Sequence, residues 1–406
     1  MIESYEGPLR FINGKYVREG TNCKMISHEG TYIGNFENGK YHGYGVMKFT
    51  NGDIYKGNYK NNKIHGMGLM IYSNGTKYEG EWFEDQYHGH GKLTSTNGCM
   101  YNGEWVFNKR SGEGIMRFIN GDLYEGEFKE NMIEGSGIME FANGDIYEGE
   151  FVSDVMCGKG VMKSANGIVY SGDFFDNKFH GNGIIKFLNG IEYEGEFNED
   201  KMEGTGIMKF KSGASYQGGW LNNNRTGLGL MTFANGDTYY GEWLDNKCSG
   251  KGFLKCINNN QYDGYWLENK FSGHGTQKIF KDGVYYTGDF KDGKYHGEGV
   301  INFQNGSVYD GHWLYGLRNG NGTMVYSNGE IYKGTWLGDK RNGEGYMKFS
   351  NGDEYYGDWI NDKRNGHGVM RFANGKIYDG DFENDECDIF YKEKPNKRKA
   401  SDISTI

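Results

Sequence analysis

Five histidines, His42, His65, His88, His180 and His296, each stand directly before a glycine and invite reading as metal ligands. Acid pairs such as Glu79/Glu81, Glu125/Glu127, Glu148/Glu150 and Glu194/Glu196 would suit general acid–base chemistry. Gly-x-Gly triplets such as Gly66-Met67-Gly68 would suit a phosphate cradle. All three features recur at a fixed interval, and the recurrence argues against each. Catalysis needs one special constellation, and no Ser/His/Asp set stands out from many equivalent carboxylates. A phosphate loop needs a helix N-terminus after its glycines, and no helical pattern follows these. Histidines in successive repeats would lie two strands, roughly 10 Å, apart, too far for one metal ion with ~2 Å bonds. They read as polar loop residues bonded to backbone; a metal bridging two chains is the alternative. The expectation is a chain with no catalytic residues, no metal site, no cofactor and no enzymatic activity.

The interval itself is the dominant signal. Tyrosines recur every 23 residues from Tyr32 to Tyr262 and, after one extra residue, from Tyr286 to Tyr378. Such periodicity decides an architecture before any local reading. Counting the tyrosine as position 0, position 2 is Gly and position 4 is aromatic, from Gly34 and Phe36 to Gly380 and Phe382. Positions 11 and 13 are Gly, 15 is often Met, 17 is usually aromatic, and 19–20 are usually Asn-Gly, as in Gly135, Gly137, Met139, Phe141 and Asn143-Gly144.

The alternation over positions 0–4 and 11–17 has period two and predicts strands. Asn-Gly between the two runs marks a hairpin. For Met139, Phe141 and Tyr147 to share a face, its loop must hold three residues with Gly in the left-handed region, because a one-residue slip inverts a strand. Asn259, which replaces that Gly in one repeat, belongs to the few residues that tolerate positive φ. Positions 5–10 read as a six-residue surface loop. The fold class is therefore all-β: an elongated single-layer antiparallel sheet of tandem β-hairpins with its aromatic face buried. The glycines leave bare backbone over which neighbouring rings can lie. About sixteen hairpins at ~4.8 Å per strand would extend roughly 150 Å.

Composition agrees. A chain of 406 residues with 69 Gly, 2 Pro and 16% aromatic residues lacks the material of a thick globular core. A formal charge of −10 argues against nucleic-acid binding and against electrostatic adhesion to anionic membranes along the whole length. Acids at positions 1 and 3 and bases at position 16 (Arg117, Lys163, Lys209, Arg371) predict modest cross-strand pairs on a solvated face. Six scattered cysteines without a CxxC pair fit reduced thiols in a cytoplasmic protein.

Along the chain, residues 1–31 read as a degenerate N-terminal cap repeat, in which Tyr5, Gly7, Asn13-Gly14 and Gly20 follow the pattern loosely. Residues 32–390 form the array. The extra residue between Gly275 and Phe280 predicts a β-bulge in a second strand. Residues 391–406 form a basic, then polar tail, expected to be disordered. The last repeat supplies one strand, so its edge beside Tyr378, Gly380, Phe382, Tyr355 and Trp359 is the candidate contact for a homodimer, unless residues 383–391 fold back over it.

The pattern Y-x-G-x-[WF]…G-x-G-x-M-x-F-x-N-G resembles the MORN repeat (membrane occupation and recognition nexus), closely over 32–382 and loosely over 5–31. The resemblance implies a twisted single-layer sheet of hairpins. In MORN-containing enzymes a separate domain does the chemistry, and the repeats here leave no room for one. The nearest likeness is to nearly all-MORN scaffolds of protist cortical cytoskeletons. This implies a non-enzymatic, protein-binding rod, cytoplasmic and associated with the cytoskeleton or cortex. The alternative is a phosphoinositide- or membrane-binding adaptor, with Lys392, Lys394, Lys397, Arg398 and Lys399 as a weak anionic-lipid contact, or a regulatory subunit of a lipid kinase or motor.

Overall fold

The computed structural model describes residues 2–387. It is all-β, and the chain forms two compact units, up to Lys211 and from Ser212. Within each unit successive strands pair antiparallel in chain order, so each repeat is one hairpin beside the next. The repeat of Tyr124 shows the plan. Its strands, Leu123–Lys129 and Met132–Glu140, are followed by Ile146–Val152 of the next repeat.

The Asn-Gly connection has the expected geometry. Phe141 N donates to Asp145 O at 2.9 Å, Gly144 N donates to Phe141 O at 2.9 Å, and Gly144 has φ 89°. Three residues lie between the paired Phe141 and Asp145, and Met139 sits opposite Tyr147. Asn259 takes φ 67° in the equivalent place.

The six-residue loop does not exist. Strands run through position 5 and resume at position 8, leaving a two-residue turn such as Glu130-Asn131, both with positive φ (53° and 76°). Two left-handed residues make the tight turn whose twist matches the flanking strands. The sequence signal was present: position 7 is Asn, Asp or Gly in every repeat, as in Asn62, Asp85, Asn108, Asn131 and Asp154. Asn223, at φ 67°, is such a turn residue.

Each hairpin also contains a bulge that the pattern did not suggest. Gly126 pairs with Gly137 but Phe128 pairs with Ile133, so the second strand carries extra residues there. Gly135, at φ 72°, absorbs the distortion. Position 11 is thus Gly for its backbone conformation, whereas positions 2 and 13 are Gly for space. The inserted residue near 280 makes no bulge. Gly275 to Ile279 stay in register with Val284 to Gly288, and the extra residue lengthens the turn to four residues, 280–283.

The N-terminal region contains β1 (Ile2–Glu6), β2 (Leu9–Ile12), β3 (Lys15–Arg18) and β4 (Gly20–Ser27). β1 pairs with β4, while β2 and β3 form a separate two-stranded hairpin around Asn13-Gly14. Tyr5 still meets Phe36 edge-on at 5.4 Å, so the first strand imitates a repeat.

Candidate protein-binding surface

The aromatic face is built on position 0. From Tyr32 to Tyr355 these tyrosines are at most 2% exposed. A methyl added at Gly137 would strike the Tyr124 ring and one at Gly126 its hydroxyl, so the tyrosine lies across the two facing glycines. Tyr124 Oη donates to Glu127 O at 3.1 Å. Its edges meet Phe128 of its own repeat and Phe151 of the next, both at 5.2 Å and near perpendicular. Edge-to-face pairs exploit the ring quadrupole, and their alternation joins neighbouring repeats. Tryptophans add a polar tie: Trp243 Nε1 donates to Gly229 O at 3.2 Å. Burial pushes all these phenols upward, Tyr101, Tyr216 and Tyr355 to about 12.

Position 9, unremarked in the sequence, covers the tyrosine. Where it is aromatic it stacks: Tyr87 on Tyr78 at 3.7 Å, Phe179 on Tyr170 at 3.8 Å, Phe271 on Tyr262 at 3.7 Å. Where it is arginine, the guanidinium lies over rings: Arg341 Cζ is 4.2 Å from the Trp359 centroid and 5.7 Å from that of Tyr332. Arg341 Nε also reaches Asp362 Oδ1 at 3.2 Å, and Nη2 donates to Asp362 O at 2.8 Å. Arg318 with Asp339 and Arg364 with Asp385 repeat the arrangement.

Those aspartates occupy position 7, which staples repeats together. Asp85 N donates to Ile64 O at 3.0 Å, and Asp85 Oδ1 accepts from Ile64 N at 2.7 Å. At the opposite turns Asp122 Oδ1 accepts from Ala142 N, 2.8 Å, one repeat on.

The acids of position 3 serve the bulge rather than pairing with position 16. Glu127 Oε1 accepts from Ser136 N at 3.1 Å, and Glu196 accepts from both the amide and hydroxyl of Thr205, which hold its carboxyl below the usual range. Position 16 faces the residue before the tyrosine, as Arg117 faces Leu123. The histidines of position 10 lie in strands, not loops. His88 rests between Phe83 and Phe107, with its Nδ1 buried and lacking a hydrogen-bond partner. Among the described residues no group of three or more His, Cys, Asp or Glu could hold a metal ion.

Three hollows open at equivalent places on the aromatic face. One is lined by Arg18, Met25, Tyr41 and Asn62 (about 330 Å³), one by Arg110, Met116, Phe118, Asn131 and Ile133 (about 320 Å³), and one by Arg225, Met231, Phe233, Asn246 and Cys248 (about 760 Å³). The second and third each use positions 9 and 15 of one repeat with positions 7 and 9 of the next, whereas the first joins Arg18 and Met25 of the N-terminal region to Tyr41, at position 9 of the first complete repeat, and Asn62, at position 7 of the second. Their linings mix apolar side chains with amide, guanidinium and carboxylate groups (Glu29, Asp122, Asp154, Asp237), and a few polar groups among apolar walls are usual in a recognition site.

At the proposed dimer edge, Tyr355, Trp359 and Phe382 are packed inside the ladder at 0%, 2% and 3% exposure, while Tyr378 is half-buried. Ile377–Phe382 pairs with the strand before it, and residues 383–386 form a turn closed by Glu383 N to Glu386 O, 2.9 Å, and Glu386 N to Glu383 O, 3.0 Å. Lys392, Lys394, Lys397, Arg398 and Lys399 lie outside the described residues, as does the expectation of a disordered tail.

This geometry, tandem hairpins locked by a tyrosine–glycine ladder, defines an all-β repeat protein. The chain belongs to the MORN repeat family: fifteen segments match that repeat, eleven in succession within residues 32–279 and four over 286–377. No curated protein matches it. Among solved structures it is similar to the TCP domain of Drosophila melanogaster SAS-4 in complex with a proline-rich motif of Ana2 (13% identity, TM-score 0.25, 38% of this chain and 84% of that one). It is also similar to the TCP10 domain of Danio rerio CPAP (11% identity, TM-score 0.15, 77% and 99%) and to a streptogramin B lyase (13% identity, TM-score 0.12, 72% and 92%). These similarities are too low to carry a functional argument.

Proposed function

We propose that this chain is a non-enzymatic scaffold that binds extended segments of partner proteins along its aromatic face, in the cytoplasm at the cytoskeleton or cell cortex. The observation that carries this is the recurrence of a hollow at the same repeat positions, 9 and 15 of one repeat with 7 and 9 of the next, over Ile133 and again over Cys248. Repeat surfaces of this kind present the same recess several times to one extended ligand. A homodimer formed by a second copy aligning beside Ile377–Phe382, the last strand among the described residues, is a corollary. With Tyr355, Trp359 and Phe382 already packed, its contact would run through backbone.

The alternative, a membrane adaptor, would rest on Lys392–Lys399. Co-sedimentation with phosphoinositide-containing vesicles, with and without residues 388–406, separates the two. The scaffold reading expects no tail-dependent sedimentation together with a direct complex between the purified chain and a purified partner protein. Tail-dependent sedimentation without any protein complex would reverse it. Light scattering on the intact chain and on a chain ending at Asn351 tests the dimer: a monomer at micromolar concentration for the intact chain rejects it.

A further inference from the structure

On the face opposite the tyrosines, position 8 is commonly Lys. Where position 6 of the next repeat is acidic, the two pair across the turns: Lys63 with Glu84 at 2.9 Å, Lys109 with Glu130, Lys247 with Glu268 at 3.1 Å and Lys270 with Asp292 at 3.3 Å. From Lys294 onward that acid is gone. Tyr315, Asn361 and Asn384 hold its place beside Lys294, Lys340 and Lys363. Among the described residues these three lysines form no ion pair. The acids in the neighbouring turns, Asp339, Asp362 and Asp385, are already engaged by Arg318, Arg341 and Arg364.

The same stretch exposes apolar surface. Positions 5 and 8 pair across each hairpin and so share one row beside the turns: Leu314 with Leu317, Leu337 with Lys340, Ile360 with Lys363. Leu314, Leu317, Leu337 and Ile360 are 44%, 47%, 61% and 48% exposed. At one end of the row a hollow of about 450 Å³, lined by His296, His312, Leu314, Asn319 and Asn321, forms a recess. A single exposed leucine needs no explanation, but a run of four interleaved with unneutralised cations marks an interaction surface. It is a basic row on a chain of formal charge −10.

We propose that the row from Lys294 to Lys363 binds an acidic amphipathic segment of a partner protein. Its carboxylates stand beside Lys294, Lys340 and Lys363 as Glu84, Glu130 and Glu268 stand beside their own lysines, and its apolar side chains cover Leu314, Leu337 and Ile360. Successive repeats are two strands, roughly 10 Å, apart, close to the ~10.5 Å that seven residues span in a helix, so a helix with leucines and acids at heptad spacing matches the row. A surface ion pair alone contributes little, so the apolar contacts carry the affinity and the lysines select an acidic partner. A flat anionic membrane fits less well. It would press its headgroups towards Glu344 and Asp358, which face each other across adjacent strands on the same side of the sheet. This contact lies on the other face from the hollows over Ile133 and Cys248 and stands or falls apart from them.

The test uses the intact chain with ¹³C-labelled Leu and Ile methyls, read by NMR. The probes are a peptide of three Leu-Glu-Glu-Leu-Ala-Glu-Glu heptads, its counterpart with Lys for every Glu, and vesicles containing phosphatidylserine. The acidic peptide is expected to shift the methyls of Leu314, Leu337 and Ile360 and to bind about tenfold tighter than the lysine peptide. Asn361→Glu with Asn384→Glu returns the missing acids. Asn361 and Asn384 have φ 50° and 53°, as Glu84 and Glu130 have 48° and 53°, so the backbone accepts Glu there. This double variant is expected to weaken the acidic peptide about tenfold. Leu337→Asn with Ile360→Asn, which copies Asn198 of another repeat, is expected to do the same and decides if the first variant does not fold. No shift at these methyls, equal binding of the two peptides, unchanged affinity in the variants, or broadening by vesicles in place of a peptide shift would each overturn the proposal. A partner that protects the hollows of the aromatic face would leave the scaffold reading standing in every one of those cases.

Discussion

A methyl group at position 13 should be among the most damaging small changes this chain can suffer. In Gly137→Ala the new Cβ would sit 2.5 Å from Tyr124 Cε2 and Cζ. The ring has nowhere to go: Gly126 lies against it, Phe128 and Phe151 abut its edges, and its hydroxyl is bonded to Glu127 O. Overpacking of this kind costs about 1–3 kcal/mol, and a fully enclosed ring puts it at the upper end. Gly98→Ala is the control. Gly98 has φ 91° and nothing within 4 Å of an added methyl, so only backbone strain of about 1–2 kcal/mol remains. A long array need not unfold in one step, so the assay should be local. Hydrogen exchange over residues 132–140 should show roughly a hundredfold loss of protection in Gly137→Ala. In a Tyr124→Ala background the ring is gone, and Gly137→Ala should become neutral or gain about 0.5 kcal/mol, as Ala replaces Gly in a strand. If the two losses simply add, the ring–glycine contact is not the cause and the reasoning fails.

Asp85→Ala should cost about 1–3 kcal/mol through the lost bond to Ile64 N and strain at φ 70°, whereas Asp85→Asn should be nearly silent; local exchange near residue 64 checks both. Arg341→Lys should cost about 1–2 kcal/mol, since an ammonium cannot hold Asp362 through two nitrogens while lying flat over Trp359. Alkaline titration should unfold the array above pH 10: Tyr101, Tyr216 and Tyr355 keep their protons to about 12 when folded but lose them near 10 when unfolded. Their stabilisation is therefore whole below pH 10 and lost between 10 and 12, on the order of 2–3 kcal/mol for each tyrosine, followed by circular dichroism.

Much of the fold was legible because the alternation of Tyr124, Gly126 and Phe128 with Glu125 and Glu127 leaves few conformations open. Parity fixed the Asn143-Gly144 turn to three residues, as found. The six-residue loop failed because most of positions 5–10 vary freely, which hides the demand for Asn, Asp or Gly at position 7. The bulge at Gly135 was hidden because a glycine needed for positive φ looks, in sequence, like one needed for room. The extra residue before Phe280 went to a turn because a turn absorbs it without breaking the ladder between Gln277 and Tyr286. The candidate recognition surface was least legible. Position 9 varies among Tyr, Phe, Arg, Met, Ile and Cys, so it carries no periodic signature, and only the rings beneath it show that these side chains share one task.

The central claim, that this array binds proteins through its aromatic face, is tested most directly by reconstitution from purified components. A partner captured from the source cells would be purified and mixed with the chain, and hydrogen exchange compared with and without it. The account predicts a direct complex that protects amides around the hollows, such as those of residues 224–232 and 247–255. A partner that binds only in the presence of vesicles, or that protects only the charged face, would contradict it.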